Sequence, residues 1–142
     1  MPKSTVKRII DANINRSKEG LRVCEEITRF ILNNRLLTLE LKKIRHEIDA
    51  AAGLLASKKE LLSERLVQKD VGRNIHVQEF KRDSLKDIFF ANIQRVKEST
   101  RVLEEFSKLI NKTAALKFKR ARYKIYALEK KAAESLPALS AH

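Results

Sequence analysis

The chain has little of what punctuates irregular structure: three glycines, two prolines, one cysteine and no tryptophan in 142 residues. Sandwiches and barrels of short strands need Gly and Pro at frequent turns, so this scarcity excludes them. With only Gly20, Gly53 and Gly72 available, neither a Gly-x-Gly-x-x-Gly turn nor a Gly-x-x-x-x-Gly-Lys-Ser/Thr loop can be written. A phosphate would have to be handled by side chains. Cys24 has no partner for an internal disulfide, and no Cys/His cluster of metal type occurs. The longest apolar run, Ala50 to Ala56, falls far short of bilayer length. Basic residues near the N-terminus precede no hydrophobic signal core. A soluble, cytoplasmic protein with a reduced thiol is expected.

What is abundant is positive charge. The 31 Lys and Arg outnumber the 18 Asp and Glu, leaving +13. Such a charge attracts any polyanion, so nucleic acid, acidic membrane and phosphorylated metabolites all remain open. The strongest basic run is late: Lys117, Lys119, Arg120, Arg122, Lys124, Lys130 and Lys131 against one Glu129. Leu116, Ala121, Ile125 and Leu128 recur within it at helical spacing, so its cations are expected to decorate the solvated face of a packed helix.

The apolar period divides the chain into four long helices and one loop. The first spans Ser4 to about Asn33, with Ser4 as N-cap and Ile10, Ile14, Leu21, Cys24 and Ile31 on one seam. The second runs from about Leu36 to Leu66 with a stripe of Leu37, Leu41, Ile44, Ile48, Leu55 and Leu62, and Gly53 weakens or bends it. The period lapses between Val67 and Ser84. A third helix, capped by Ser84 with Asp87, reaches about Asn111, and a fourth covers Thr113 to Ser135, with Pro137 marking its frayed end. One domain is expected, an all-α four-helix bundle.

Its two halves match. Ala12 to Glu26 aligns without gaps onto Ala91 to Glu105 with ten of fifteen residues identical. The following helices echo each other through Lys42, Arg45 and Ile48 against Lys119, Arg122 and Ile125. A duplicated helical hairpin with a pseudo-twofold axis follows, with repeats over about 4–66 and 85–136, a loop at 67–84 and a tail at 137–142.

Packing explains repeated apolar residues, so the repeated polar ones carry more information. At 100° per residue Asn13 falls at the centre of the apolar arc of the first helix and Arg16 at its edge. Asn92 and Arg95 occupy the same positions in the third. Either the two Asn pair across the core and fix register, or Arg16 and Arg95 offer bidentate donors to a phosphate in a polar pocket. Glu19, Arg22 and Glu26, with Glu98, Arg101 and Glu105, are spaced for surface ladders or for a pocket rim. Asp70-Val71-Gly72 puts an acid and a flexible residue in the long loop. His46 stands beside Arg45 but matches Tyr123 in the other half, and Cys24 matches Leu103, so a core thiol is expected there.

The blocks Asp11-Ala12-Asn13-Ile14-Asn15-Arg16 and Glu19-Gly20-Leu21-Arg22-Val23-Cys24-Glu25-Glu26, then Arg29-Phe30, Arg45-His46, Asp70-Val71-Gly72 and Ala91-Asn92 with Glu104-Glu105, resemble a known family. It is the all-helical, monofunctional hydroxymethylpyrimidine-phosphate kinase family of thiamin biosynthesis, whose members stand alone or precede a thiamin-phosphate synthase barrel. The resemblance runs from about Arg8 to Asn111. It implies transfer of the ATP γ-phosphoryl group to hydroxymethylpyrimidine phosphate, with Mg²⁺. On that reading Arg16 and Arg95 are catalytic together with Asp70. Arg22, Arg101, Arg45 and His46 bind phosphate or substrate, and Asn13 and Asn92 orient the substrates. Asp70, helped by Glu19 or Glu26, holds Mg²⁺, and Gly72 lets the loop close. No synthase barrel follows here, so synthase activity is expected to be absent. Arg73-Asn74 departs from the small hydroxyl residue expected after the glycine. Expected partners are the phosphate substrate, a second copy of the chain and a thiamin-phosphate synthase, with no membrane. A basic module for nucleic acid or protein, or a non-catalytic synthase-associated domain, is the alternative.

Overall fold

A computed structural model describes residues 3–72 and 84–139, and within them every regular element is helical. Helix α1 covers Lys3–Glu26 and continues through a π-helical turn, Ile27–Ile31. Leu32 N–H donates to Ile27 O at 3.0 Å, and Asn34 N–H reaches Thr28 O at 2.8 Å. Asn33 then takes a left-handed conformation, φ 51°, which Asn tolerates better than most residues. Asn34 caps α2, Arg35–Ala52, by accepting from Leu37 N–H. Two adjacent asparagines thus end one helix and start the next.

The second helix does not continue to Leu66 as its stripe predicts. It stops at Ala52 with Gly53 as C-cap, and Ser57 opens a separate short helix α3, Lys58–Ser63. The stop is local chemistry. Ser57 and Glu60 form a reciprocal capping box, at 3.1 and 3.2 Å, that satisfies two end N–H groups. The restart shifts the register, so Leu61 is buried and Leu62 is exposed. A 3₁₀ turn, Val67–Lys69, follows. Arg73, Asn74 and most of the expected 67–84 loop lie outside the described residues, as does the end of the tail.

Ser84 caps α4, Leu85–Ser107, through Asp87 N–H at 3.1 Å. Asn111 caps α5, Lys112–Leu139, which runs past Pro137 rather than fraying before it. The described chain therefore holds five helices, four long and one short. The late run keeps its period with a shifted face. Ala114, Phe118, Ala121, Ile125 and Leu128 are buried and Leu116 is exposed. Arg122, expected among the surface cations, is buried instead against Glu104.

Helices α1 and α4 cross antiparallel at the centre. Ser17 and Ser99 share a buried 2.6 Å hydrogen bond there, and Cys24 lies against Phe89 O. A Cβ on Gly20 would stand 2.7 Å from Val96 Cγ2 and 3.0 Å from Asn92 O, so the missing side chain permits this approach. Asn13 and Asn92 do not pair across the core. Each amide donates to its own helix, to Ile9 O and Ile88 O, both at 2.8 Å. The cross-core polar contact belongs to the two serines. Burial pushes the Cys24 thiol pKa up, reinforced by Glu25, which fits a packed and inert sulfur.

Each long hairpin is also tied by an ion pair to a buried glutamate. Arg45 Nε meets Glu25 Oε2 at 2.8 Å, and Arg122 Nη2 meets Glu104 Oε1 at 2.9 Å. The hydrogen bonds that Arg45 donates to Glu25 raise its pKa against the opposing effect of its own burial. Burial works against the charge on Arg122, but its bonds to Tyr126 and Glu104 more than offset this.

Candidate functional site

Past the capping box the chain turns back over α1. Arg65 reaches down to Asp11 in a fork, Nε to Oδ2 and Nη2 to Oδ1, both at 2.8 Å. Asp11 is nearly buried, and Asn15 supports it by donating to its carbonyl at 3.0 Å. A bidentate pair of this kind fixes direction as well as distance. The hydrogen bonds that Arg65 donates to Asp11 hold its pKa above the ordinary value, with Glu19 adding to the same effect.

Under this segment lies a cleft of about 820 Å³. Its floor is the α1 face carrying Thr5, Arg8, Ala12, Asn13, Arg16 and Glu19, its far wall is Arg95 and Val102 of α4, and its near wall is Arg65 to Val67 with Asp70 and Gly72. Arg8 and Arg16 of α1, Arg95 of α4 and Arg65 of the returning segment thus share one space. Arg8 and Arg16 have no carboxylate partner among the described residues, and Arg16 makes only a long 3.4 Å contact with Asn13 Oδ1. Asp70 accepts from Gly72 N–H through Oδ1 at 2.9 Å, a tight local turn that orients the carboxylate.

Six residues singled out from sequence therefore share one cleft: Asn13, Arg16, Glu19, Asp70, Gly72 and Arg95. The others lie elsewhere. Arg22 pairs with Glu26 at 3.4 Å and Arg101 with Glu105 at 3.0 Å, both as i,i+4 ladders on exposed helix faces. Arg45 is committed to Glu25, and His46 is exposed on α2. Asn92 is not in the cleft lining. Asp11, Arg65 and Arg8 were given no role from sequence. Asp11 matches Phe90 in the other half, so a search for repeated polar residues passes over it. An acid wedged between Ile10 and Ala12 on the buried arc was the available signal.

Among the described residues no three His, Cys, Asp or Glu cluster as a metal set, and no helix is long and apolar enough to cross a membrane. The basic face of α5 is partly neutralised. Lys124 and Lys131 reach Glu47 and Glu40 on α2 at 2.8 and 3.0 Å.

Fold and cleft together define a small all-helical protein that gathers four arginines and three carboxylates, Asp11, Glu19 and Asp70, around one cleft. The chain belongs to the ThiD2 family, whose profile matches residues 8–131. It is 44% identical over 125 residues to a protein of Nostoc punctiforme named thiamine-phosphate synthase, covering 87% of this chain and 34% of that one. Proteins of the same name from a Synechocystis species and from Rhodopirellula baltica are each 39% identical, over 127 and 124 residues. These matches cover 89% and 87% of this chain, and 36% and 33% of theirs. The chain thus spans about a third of the length of the curated relatives it matches. No solved structure matches it.

Proposed function

We propose that the protein is a kinase of thiamin biosynthesis, which moves the γ-phosphoryl group of ATP onto the phosphate of hydroxymethylpyrimidine phosphate. A bond forms between the γ-phosphorus and an oxygen of the acceptor phosphate. The bond from that phosphorus to the bridging oxygen of ADP breaks, and ADP leaves. The acceptor is already an oxyanion at neutral pH, so no strong general base is required. Alignment and charge neutralisation supply the catalysis.

The observation that carries this reading is the pair of guanidiniums, Arg8 and Arg16, that have no carboxylate partner among the described residues and share a cleft with Arg95, Asp70 and Glu19. Arg16 and Arg95 come from helices that cross, so they can grip the transferring group from two sides. Arg8 lies two turns along from Arg16 and suits the acceptor phosphate. Mg²⁺ is ordinarily held by one or two carboxylates plus phosphate oxygens, and Asp70 with Glu19 fits that donor set. Glu26, tied to Arg22, does not. Bound Mg²⁺ would neutralise charge on the β- and γ-phosphates.

The test is to incubate the protein with MgATP and hydroxymethylpyrimidine phosphate and separate ADP and the pyrophosphate by chromatography, omitting the acceptor as control. Acceptor-dependent product supports the reading, and a folded protein that gives none refutes it. A second reading is favoured by the relatives' name. Thiamin phosphate appearing in assays of this chain would support synthase chemistry, although about two thirds of those proteins lie outside the matched region. A cytoplasmic location, self-association and contact with a synthase belong to the proposal. A basic binding module is less well supported, since Arg122, Lys124 and Lys131 are spent on intramolecular carboxylates.

A further inference from the structure

We propose that Leu66 and Val67 form the wall against which the acceptor's heteroaromatic ring packs, an inference that rests on the kinase reading and names the ring subsite within it. Both side chains line the cleft, and both are substantially exposed, at 43% and 55%. Single exposed apolar residues need no explanation, but two in succession on the rim of a polar, arginine-rich cleft present a small apolar surface toward it. Ile9 and Ala12 of α1 line the same cleft, so a planar ring has apolar surface available from both elements.

The wall is held in position. Arg65, its immediate neighbour, is pinned to Asp11 by two 2.8 Å hydrogen bonds across 54 positions of sequence. On the other side Lys69 N–H and Asp70 N–H close back onto Leu66 O and Val67 O at 3.1 and 3.3 Å. Leu66 and Val67 therefore sit between an ion-pair anchor and a hydrogen-bonded turn, which is the preorganisation a ring subsite needs.

The chemistry of the two substrates favours the acceptor over adenine as the occupant of this wall. In a phosphomethyl pyrimidine only one methylene and an ester oxygen separate the ring from its phosphate, so ring wall and cations must share one cleft. In ATP a ribose and two further phosphates stand between the base and the γ-phosphoryl group. An apolar wall beside Arg65 and in the same cleft as Arg8 meets the first requirement.

Leu66→Ala, Val67→Ala and the double variant test this in the full chain, because exposed positions can be truncated with the helical circular dichroism intact. Dissociation constants for hydroxymethylpyrimidine phosphate are measured calorimetrically without ATP, alongside KM for both substrates. The double variant should bind the pyrimidine phosphate about tenfold more weakly while KM for ATP changes less than twofold. An acceptor affinity within twofold of wild type overturns the ring wall, as does an equal loss for both substrates. A wild-type protein that binds the pyrimidine phosphate but transfers nothing refutes the kinase reading alone, and the binding constants still decide the wall.

Discussion

Gly20→Ala is the sharpest probe of how closely α1 and α4 approach, because two terms of opposite sign meet there. In an ordinary helix interior, Ala in place of Gly is worth about 1 kcal/mol of stability. Here the new methyl would lie 2.7 Å from Val96 Cγ2 and 3.0 Å from the carbonyl of Asn92. Val96 is fully buried, and a helix carbonyl cannot yield without moving α4. Overpacking of this kind costs about 1–3 kcal/mol, and the backbone contact puts this site at the upper end. The net expectation is a destabilisation of about 2 kcal/mol, or a fall in melting temperature of about 4–8 °C for a chain of this size. Gly53→Ala is the control. Its Cβ would meet nothing nearer than Ala50 O at 3.4 Å, so that variant should be neutral or slightly more stable. Urea denaturation followed by circular dichroism reads both. The added substitution Val96→Ala should recover part of the loss from Gly20→Ala, since it removes the nearer clash. Equal stabilisation by the two glycine replacements would refute the close crossing, and with it the approach of α1 and α4 that brings Arg16 and Arg95 to one cleft.

Four further outcomes are expected. Arg16→Ala or Arg95→Ala should each lower kcat by orders of magnitude with native helical content; full turnover in both would remove the phosphate role. Asp70→Asn should raise the Mg²⁺ concentration needed for half-maximal activity, and an unchanged metal dependence would count against a ligand role. Glu104→Leu leaves the guanidinium of Arg122 buried without its partner and should cost about 3–5 kcal/mol, whereas adding Arg122→Met should restore most of it; additive losses would contradict a coupled pair. Hydrogen bonds from Lys7, then Ser57, hold the Glu60 carboxyl below the usual Glu range. Its contribution to stability is therefore present above that range and is lost as pH falls through the lowered pKa. Lys7→Met should move the Glu60 midpoint upward in an NMR titration, and an unmoved midpoint would show that the ion pair is not formed.

The long helices were legible because the apolar period is strong and the terminators are chemically explicit. Asn33-Asn34 and Ser84 act at the ends as their residue types dictate. The break at Gly53 was written in the sequence too, as Ser57-x-x-Glu60, but the apolar residues Leu55 and Leu62 carried the period across it. A capping box outweighs two leucines when a glycine precedes it, and burial of Leu61 in place of Leu62 records the shift. The site was half legible. Repetition drew attention to Arg16 and Arg95, which do meet in one cleft. It also drew attention to Arg22 and Arg101, repeated for helix-surface pairing instead. Asp11 and Arg65 stayed hidden because their partnership spans 54 residues and occurs in only one half. No periodicity reports a contact of that kind. The burial of Arg122 is hidden for a related reason: a cation flanked by cations reads as surface until the acid that buries it is located on another helix.

The difference between the halves bears on function more than their likeness does. Both hairpins carry the repeated block, and both carry a buried glutamate held by an arginine of the next helix. Position 20 is Gly against Val96, and its counterpart Ser99 meets Ser17, the counterpart of Val96, so the same crossing is packed twice with different side chains. Two equal halves around such a crossing would offer two equal half-sites, which suits a pair of like ligands. Group transfer needs unlike ones. Helix α2 stops at Ala52 and the chain folds back over α1, while α5 runs straight on to Leu139. That fold-back brings Arg65, Leu66, Val67 and Asp70 to the cleft that Arg16 and Arg95 also line. On the proposed kinase reading the shared arginines would serve the phosphoryl groups, and the added segment gives the cleft an apolar wall and a carboxylate that no repeat of the crossing alone would supply.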